Sequence, residues 1–99
     1  MTFTKQRIDD TLTVKISGRL DSTNCKEVEQ ELKSALAGVK ELVFDLEKLE
    51  YLSSAGLRII VSCQKTMNKQ GEMRVCHVGE LVKSVFDITG ISSFLNIVD

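Results

Sequence analysis

The spacing of apolar side chains switches repeatedly between strand-like and helix-like periods along this chain, and that switching restricts the fold more than any other feature. Leu12, Val14 and Ile16 alternate with Thr11, Thr13, Lys15 and Ser17, the period of a strand with one buried face. Asp9-Asp10 reads as a hairpin turn, which makes Phe3 to Ile8 an antiparallel neighbour at the sheet edge. Gly18-Arg19-Leu20-Asp21-Ser22-Thr23 then breaks the alternation. Asn24 with Glu27 three residues on predicts a capping box at the start of a first helix. Cys25, Val28, Leu32, Ala35 and Leu36 recur at helical spacing until Gly38 stops them.

Leu42-Val43-Phe44 is a short continuous apolar run, the pattern of a central strand covered on both faces, ended by Asp45 and Leu46. From Ala55 to Met67 the apolar positions Leu57, Ile59, Ile60, Val61, Cys63 and Met67 wrap more than a narrow stripe, which predicts a second helix pressed against both sheet and helix. Met73, Val75, Cys76 and Val78 form the next strand. Leu81, Val82, Val85 and Phe86 then lie on one face of a third helix between Gly79 and Gly90, and Ile91 to Asp99 is a short apolar tail. The expected order is β-β-α-β-α-β-α: an α/β fold in which a mixed sheet of four to five strands carries three to four helices.

The chain has 99 residues, 42% hydrophobic and 27% charged, enough for one domain at 1–99 with little material for a deep catalytic cleft. Thirteen basic and fourteen acidic side chains give a net charge of −1 with no basic block, which argues against direct binding of nucleic acid. Cys25, Cys63 and Cys76 are odd in number and sit within apolar segments, as reduced buried thiols do. Met1-Thr2-Phe3-Thr4-Lys5 lacks the apolar core of a signal peptide and no apolar run nears the roughly 20 residues of a membrane helix, so a cytoplasmic chain without a membrane partner is expected.

The chemistry concentrates where strands run into helices. Loops leaving the carboxyl ends of parallel strands gather on one edge of an open sheet, so Asp21 and Ser22 of one loop should lie near Ser53 and Ser54 of another. Ser54-Ala55-Gly56-Leu57-Arg58 opens the second helix without an acidic side chain, leaving its positive end uncompensated and receptive to an added phosphate. The plain alternative is that Ser53 or Ser54 serves only as an N-cap and Gly56 only as a packing residue. A hydrolase elbow of the form Gly-x-Ser-x-Gly does not fit, because position 52 is leucine. His77 is the only histidine, placed within a strand and expected to hold a satisfied hydrogen bond. Cysteine spacings typical of zinc sites are missing, so neither a metal nor another cofactor is expected, and no catalytic residue is assigned.

Tyr51-Leu52-Ser53-Ser54-Ala55-Gly56-Leu57, with Gly18-Arg19-Leu20-Asp21 upstream and Asp45-Leu46 between, resembles the STAS domain over nearly the whole chain, specifically the stand-alone bacterial anti-sigma factor antagonists. The resemblance implies that Ser54 is phosphorylated by an anti-sigma factor that is also a serine kinase, and that a metal-dependent serine phosphatase reverses it. It further implies that the unphosphorylated form grips the kinase and frees a sigma factor. Asp21 matches the acidic residue of the neighbouring loop. Ser53 departs from the aspartate that many members carry before the acceptor, which makes it a rival acceptor. The expected partner surface comprises Asp21, Ser22, Thr23, Asn24, Ser53, Ser54, Gly56, Leu57 and Arg58. The same resemblance allows another class of role, a scaffold in stress-signalling or lipid-transport assemblies without sigma release.

Overall fold

A computed structural model describes residues 1–98. The hairpin read from the sequence is present: β1 (Thr2–Ile8) pairs antiparallel with β2 (Thr11–Leu20), and Asp9 takes the left-handed conformation at the turn with φ 54°. Next come α1 (Cys25–Ala35), β3 (Glu41–Asp45), β4 (Leu49–Leu52), α2 (Ser54–Met67), β5 (Glu72–Cys76), α3 (Glu80–Ile88) and β6 (Ile97–Val98). The sheet runs β1-β2-β3-β5-β6, with β4 attached to β2 off that path. Every pairing after the hairpin is parallel, so β2, β3, β4 and β5 all deliver their carboxyl ends to one edge.

Alternating burial sets the layers. Leu12, Val14, Ile16, Leu42, Phe44, Met73 and Val75 are buried and join Val28, Leu32, Ile60 and Met67 of the helices in one apolar cluster. Their neighbours Thr13, Lys15, Glu41, Val43, Asp45, Arg74 and Cys76 are half-buried or exposed. The central strand is therefore covered on one face rather than on both: Val43 extends the apolar run in the sequence but points to the open face. Six strands form instead of four to five, because two short segments join the sheet. Leu49–Leu52 lies in the loop before α2, and Ile97–Val98 lies in the tail, whose Ile91–Ser93 is a single 3-10 turn. The last residue of the tail, Asp99, lies outside the described residues.

β2 is long enough to serve two partners. It pairs with β3 as far as Lys15, then kinks at Gly18, where φ is 84° and the register shifts, and pairs with β4 through Leu20. An L side chain disfavours that φ, so glycine permits the bend that carries the strand from one neighbour to the other. At α3, Val82 and Phe86 are buried while Leu81 is 60% exposed, so Leu81 does not belong to the inward face expected for it. No helix among the described residues is long and apolar enough to cross a membrane.

Candidate functional site

The ends of β2 and β4 place two loops side by side. Leu52 pairs with Leu20, and the Ser53 amide donates to the Leu20 carbonyl at 3.0 Å, so Ser53 begins where β4 ends. Ser53 has extended backbone angles and is the N-cap of α2; its Oγ accepts from the Gly56 amide at 3.1 Å. The same hydroxyl reaches the Cys25 thiol, whose pKa is raised chiefly by burial, against the lowering effect of Ser53. Ser54, the first residue of the helix, is exposed. Of two adjacent hydroxyls, one is thus engaged in holding the helix and the other faces solvent.

Close packing positions this terminus. A Cβ built on buried Gly56 would lie 2.8 Å from Leu52 Cδ1 and 3.0 Å from both Leu20 Cγ and the Leu20 carbonyl oxygen. Glycine lets the first turn of α2 settle directly on the end of β2. The first turn contains no acidic side chain, and its amides carry the partial positive charge of the helix dipole.

The β2–α1 loop is braced internally. Asp21 Oδ1 accepts from the Thr23 amide at 3.0 Å and from Thr23 Oγ1 at 2.6 Å, while Asp21 Oδ2 lies 3.8 Å from Arg19 Nε. The Thr23 hydroxyl first, then its amide, lowers the Asp21 pKa; partial burial opposes them and Arg19 adds to them. The predicted capping box does not form. Asn24 occupies the N-cap position of α1, but its Oδ1 accepts from the Asp21 amide at 3.0 Å and its Nδ2 donates to the Arg19 carbonyl at 2.9 Å. It ties the loop to the strand it left, at the expense of capping its own helix.

Ser22, Thr23, Ser54 and Arg58 are exposed, Asp21, Asn24 and Ser53 are half-buried, and Gly56 and Leu57 are buried. Gly56 and Leu57, also expected in that surface, are buried and pack beneath its exposed residues. The residue choice missed one feature: the Arg19 guanidinium lies over the Tyr51 ring, 4.1 Å from its centre, beside Asp21. Arg19 and Tyr51 stand opposite each other in the β2–β4 register, a signal invisible until β4 is recognised as a strand.

A second group of polar side chains occupies the ends of β3 and β5. β5 ends at Cys76, so His77 lies just beyond the strand rather than within it, with φ 56°. Its Nδ1 is 3.0 Å from Asp45 Oδ1, the satisfied hydrogen bond expected for it. Burial raises the Asp45 pKa, but the His77 hydrogen bond and the Glu47 amide outweigh burial and hold it below the usual carboxylate range. Cys25 and Cys63 are buried as expected, and burial pushes the Cys63 thiol up to about 12; Cys76 is only half-buried.

The STAS domain family pattern matches residues 2–99, and the chain belongs to that family. It is 36% identical over 95 residues to BtrV of Bordetella bronchiseptica, a candidate anti-sigma factor antagonist by name, covering 94% of this chain and 82% of that protein. It is 32% identical over 91 residues to the anti-sigma F factor antagonist of Paenibacillus polymyxa, covering 89% of this chain and 78% of the relative. Among solved structures, the unphosphorylated form of the anti-sigma factor antagonist SpoIIAA matches with a TM-score of 0.86 at 16% identity, over 99% of this chain and 89% of that one. The phosphorylated form of SpoIIAA, from Bacillus, matches with a TM-score of 0.79 at 15% identity, over 99% and 92%. At those identities SpoIIAA speaks for the fold alone, and the mixed sheet expected from the sequence is that fold.

Proposed function

We propose that this chain is an anti-sigma factor antagonist switched by phosphorylation of Ser54. The observation that carries the reading is the division of labour between the serines: Ser53 Oγ is occupied as the cap of α2, whereas Ser54 is exposed on a helix terminus with no acidic neighbour in its first turn. The names of the sequence relatives supply the class of partner, an anti-sigma factor. In this reading that partner is also a serine kinase. Ser54 Oγ attacks the γ-phosphorus of ATP, an O–P bond forms, the bond to the β-phosphate oxygen breaks, ADP leaves, and the hydroxyl proton passes to a base of the kinase. A serine phosphatase restores the hydroxyl by hydrolysis.

Magnitudes indicate where such a switch acts. A phosphate adds roughly −1.5 to −2 charges, and a helix N-terminus favours it by about 0.3–2 kcal/mol, so the domain tolerates it. Burying the same charge unpaired under a docked partner costs several kcal/mol, and each ~1.4 kcal/mol is tenfold in affinity. The modification therefore breaks the complex and leaves the fold intact. Asp21, Ser22, Thr23, Asn24 and Arg58 flank Ser54 as contact residues, with Gly56 and Leu57 holding the helix beneath.

The test is incubation with the cognate anti-sigma factor and ATP, followed by peptide mass spectrometry. Phosphate on Ser54, lost in Ser54→Ala, supports the reading. Phosphate on Ser53, or none with any cognate kinase, overturns it in favour of a scaffold role. Affinity for the unmodified anti-sigma factor should fall by roughly a hundredfold or more in Ser54→Asp at an unchanged melting temperature.

A further inference from the structure

We propose that Asp45, Cys76 and His77 form a binding site for a borderline-soft divalent metal ion of the zinc type. One donor atom from each residue falls within 4.8 Å of the others. Metal bonds of about 2.0–2.1 Å to nitrogen or oxygen and about 2.3 Å to sulfur place tetrahedral donors roughly 3.3–3.6 Å apart, so small side-chain rotations close the set around an ion.

The backbone brings the three together in two ways. Asp45 and Cys76 are register partners across the parallel β3–β5 pair, which puts their side chains on the same, open face of the sheet. Adjacent residues of a strand point to opposite faces, and His77 would turn away from Cys76 if β5 continued. Instead it takes a φ of 56°, uncommon for a residue with a side chain, and its imidazole swings back to within 3.0 Å of Asp45.

The donor set selects the ion. Thiolate and imidazole favour zinc or cobalt over magnesium or calcium, which take oxygen donors. Three protein ligands on an accessible face leave a fourth position for water or an exogenous donor; the His77 side chain is 50% exposed and that of Asp45 17%. Asp45 Oδ1 already accepts from the Glu47 amide at 3.1 Å, which orients the carboxylate. Binding replaces the Asp45–His77 hydrogen bond: the Nδ1 proton leaves to solvent while Nε2 takes one up, so the neutral imidazole coordinates through Nδ1, and the Cys76 thiol proton is released to solvent, with no change of oxidation state. Lys15, the register partner of Asp45 on β2, and Arg74 beside Cys76 are the cations the ion must tolerate, and the Glu47 carboxylate offsets them in part.

The experiment uses the full chain, reduced and stripped with a chelator, titrated with Zn²⁺ by calorimetry and with Co²⁺ by absorption. One ion per chain with a Kd of about 10 μM or tighter, and a sulfur-to-cobalt charge-transfer band with tetrahedral d–d intensity, is the expected result. Cys76→Ser should remove the charge-transfer band, and His77→Ala should weaken binding at least tenfold. Cys63→Ala should leave both readouts unchanged. Circular dichroism melts of the metal-free variants confirm folding, and Zn²⁺ should raise the melting temperature of the parent chain but not of Cys76→Ser. No binding at that affinity, or binding unchanged in Cys76→Ser, overturns the site and leaves the trio as a hydrogen-bonded tether. Neither result bears on phosphorylation of Ser54, whose readout is separate.

Discussion

Two pairs of strand ends share one edge of this sheet and finish in opposite chemistry. β2 and β4 end beneath the start of α2, where backbone amides point outward and Ser54 is exposed, a place suited to negative charge. β3 and β5 end in a carboxylate, a thiol and an imidazole, whose lone pairs suit a cation. The difference follows from what each strand runs into. β4 passes directly into a helix through the single residue Ser53, whereas β5 passes into His77–Gly79 before α3 begins. A helix docked at once on the sheet exposes donors, and a turn between strand and helix leaves room for side chains to converge.

The serine end also rests on tighter packing, and substitutions separate the two ends on that basis. Leu20 is 0% exposed and contacts the α2 terminus, so Leu20→Ala should cost about 2–5 kcal/mol in urea unfolding, the largest effect expected here. Next comes Gly56→Ala, where the new methyl meets the Leu20 carbonyl at 3.0 Å; about 1–3 kcal/mol is expected. By contrast His77→Ala, on the open face, should lie within about 0.5 kcal/mol of the parent. A Gly56→Ala protein as stable as the parent would remove the contrast.

The serines themselves sharpen the comparison. Ser53→Ala removes the cap and should cost about 1 kcal/mol, whereas Ser54→Ala should change stability by less than about 0.5 kcal/mol. Equal costs, measured by thermal or urea unfolding, would mean that the hydroxyls share the cap.

These particulars mark where the sequence was readable. Alternation over Leu12 to Ile16 and helical spacing from Leu57 to Met67 revealed the main elements, because a buried face repeats at the period of the backbone. The serine pair stood out because a helix start without acids is visible in one dimension. Leu49–Leu52 carries too little periodicity in four residues to be legible as a strand, and the Arg19–Tyr51 stack depends on that strand's register. Asn24 has the residue type and spacing of a cap, and only the backbone path of the loop shows that its side chain turns back to Arg19 and Asp21. The Asp45–Cys76–His77 cluster was obscured for another reason. Asp45 ends β3 while Cys76 and His77 close β5 and the turn after it, so sequence spacing carries no trace of the register that joins them.

The smallest effect expected concerns pH and the loop beside Ser54. The Thr23 hydroxyl and amide, with Arg19, hold the Asp21 carboxylate below its ordinary pKa, so the folded state binds that proton less readily than the unfolded chain does. The resulting contribution is present above the unfolded value of about 3.9 and fades as pH falls through the lower folded value. Asp21→Asn should therefore be slightly less stable than the parent at neutral pH, with the gap in urea midpoint narrowing below about pH 4. Thr23→Ala deletes the hydroxyl but keeps the amide, so it should give a smaller gap that closes over the same acid range. A gap independent of pH would show that Asp21 acts through loop shape rather than charge, and would leave its proposed part in the contact surface around Ser54 to the fold of the loop alone.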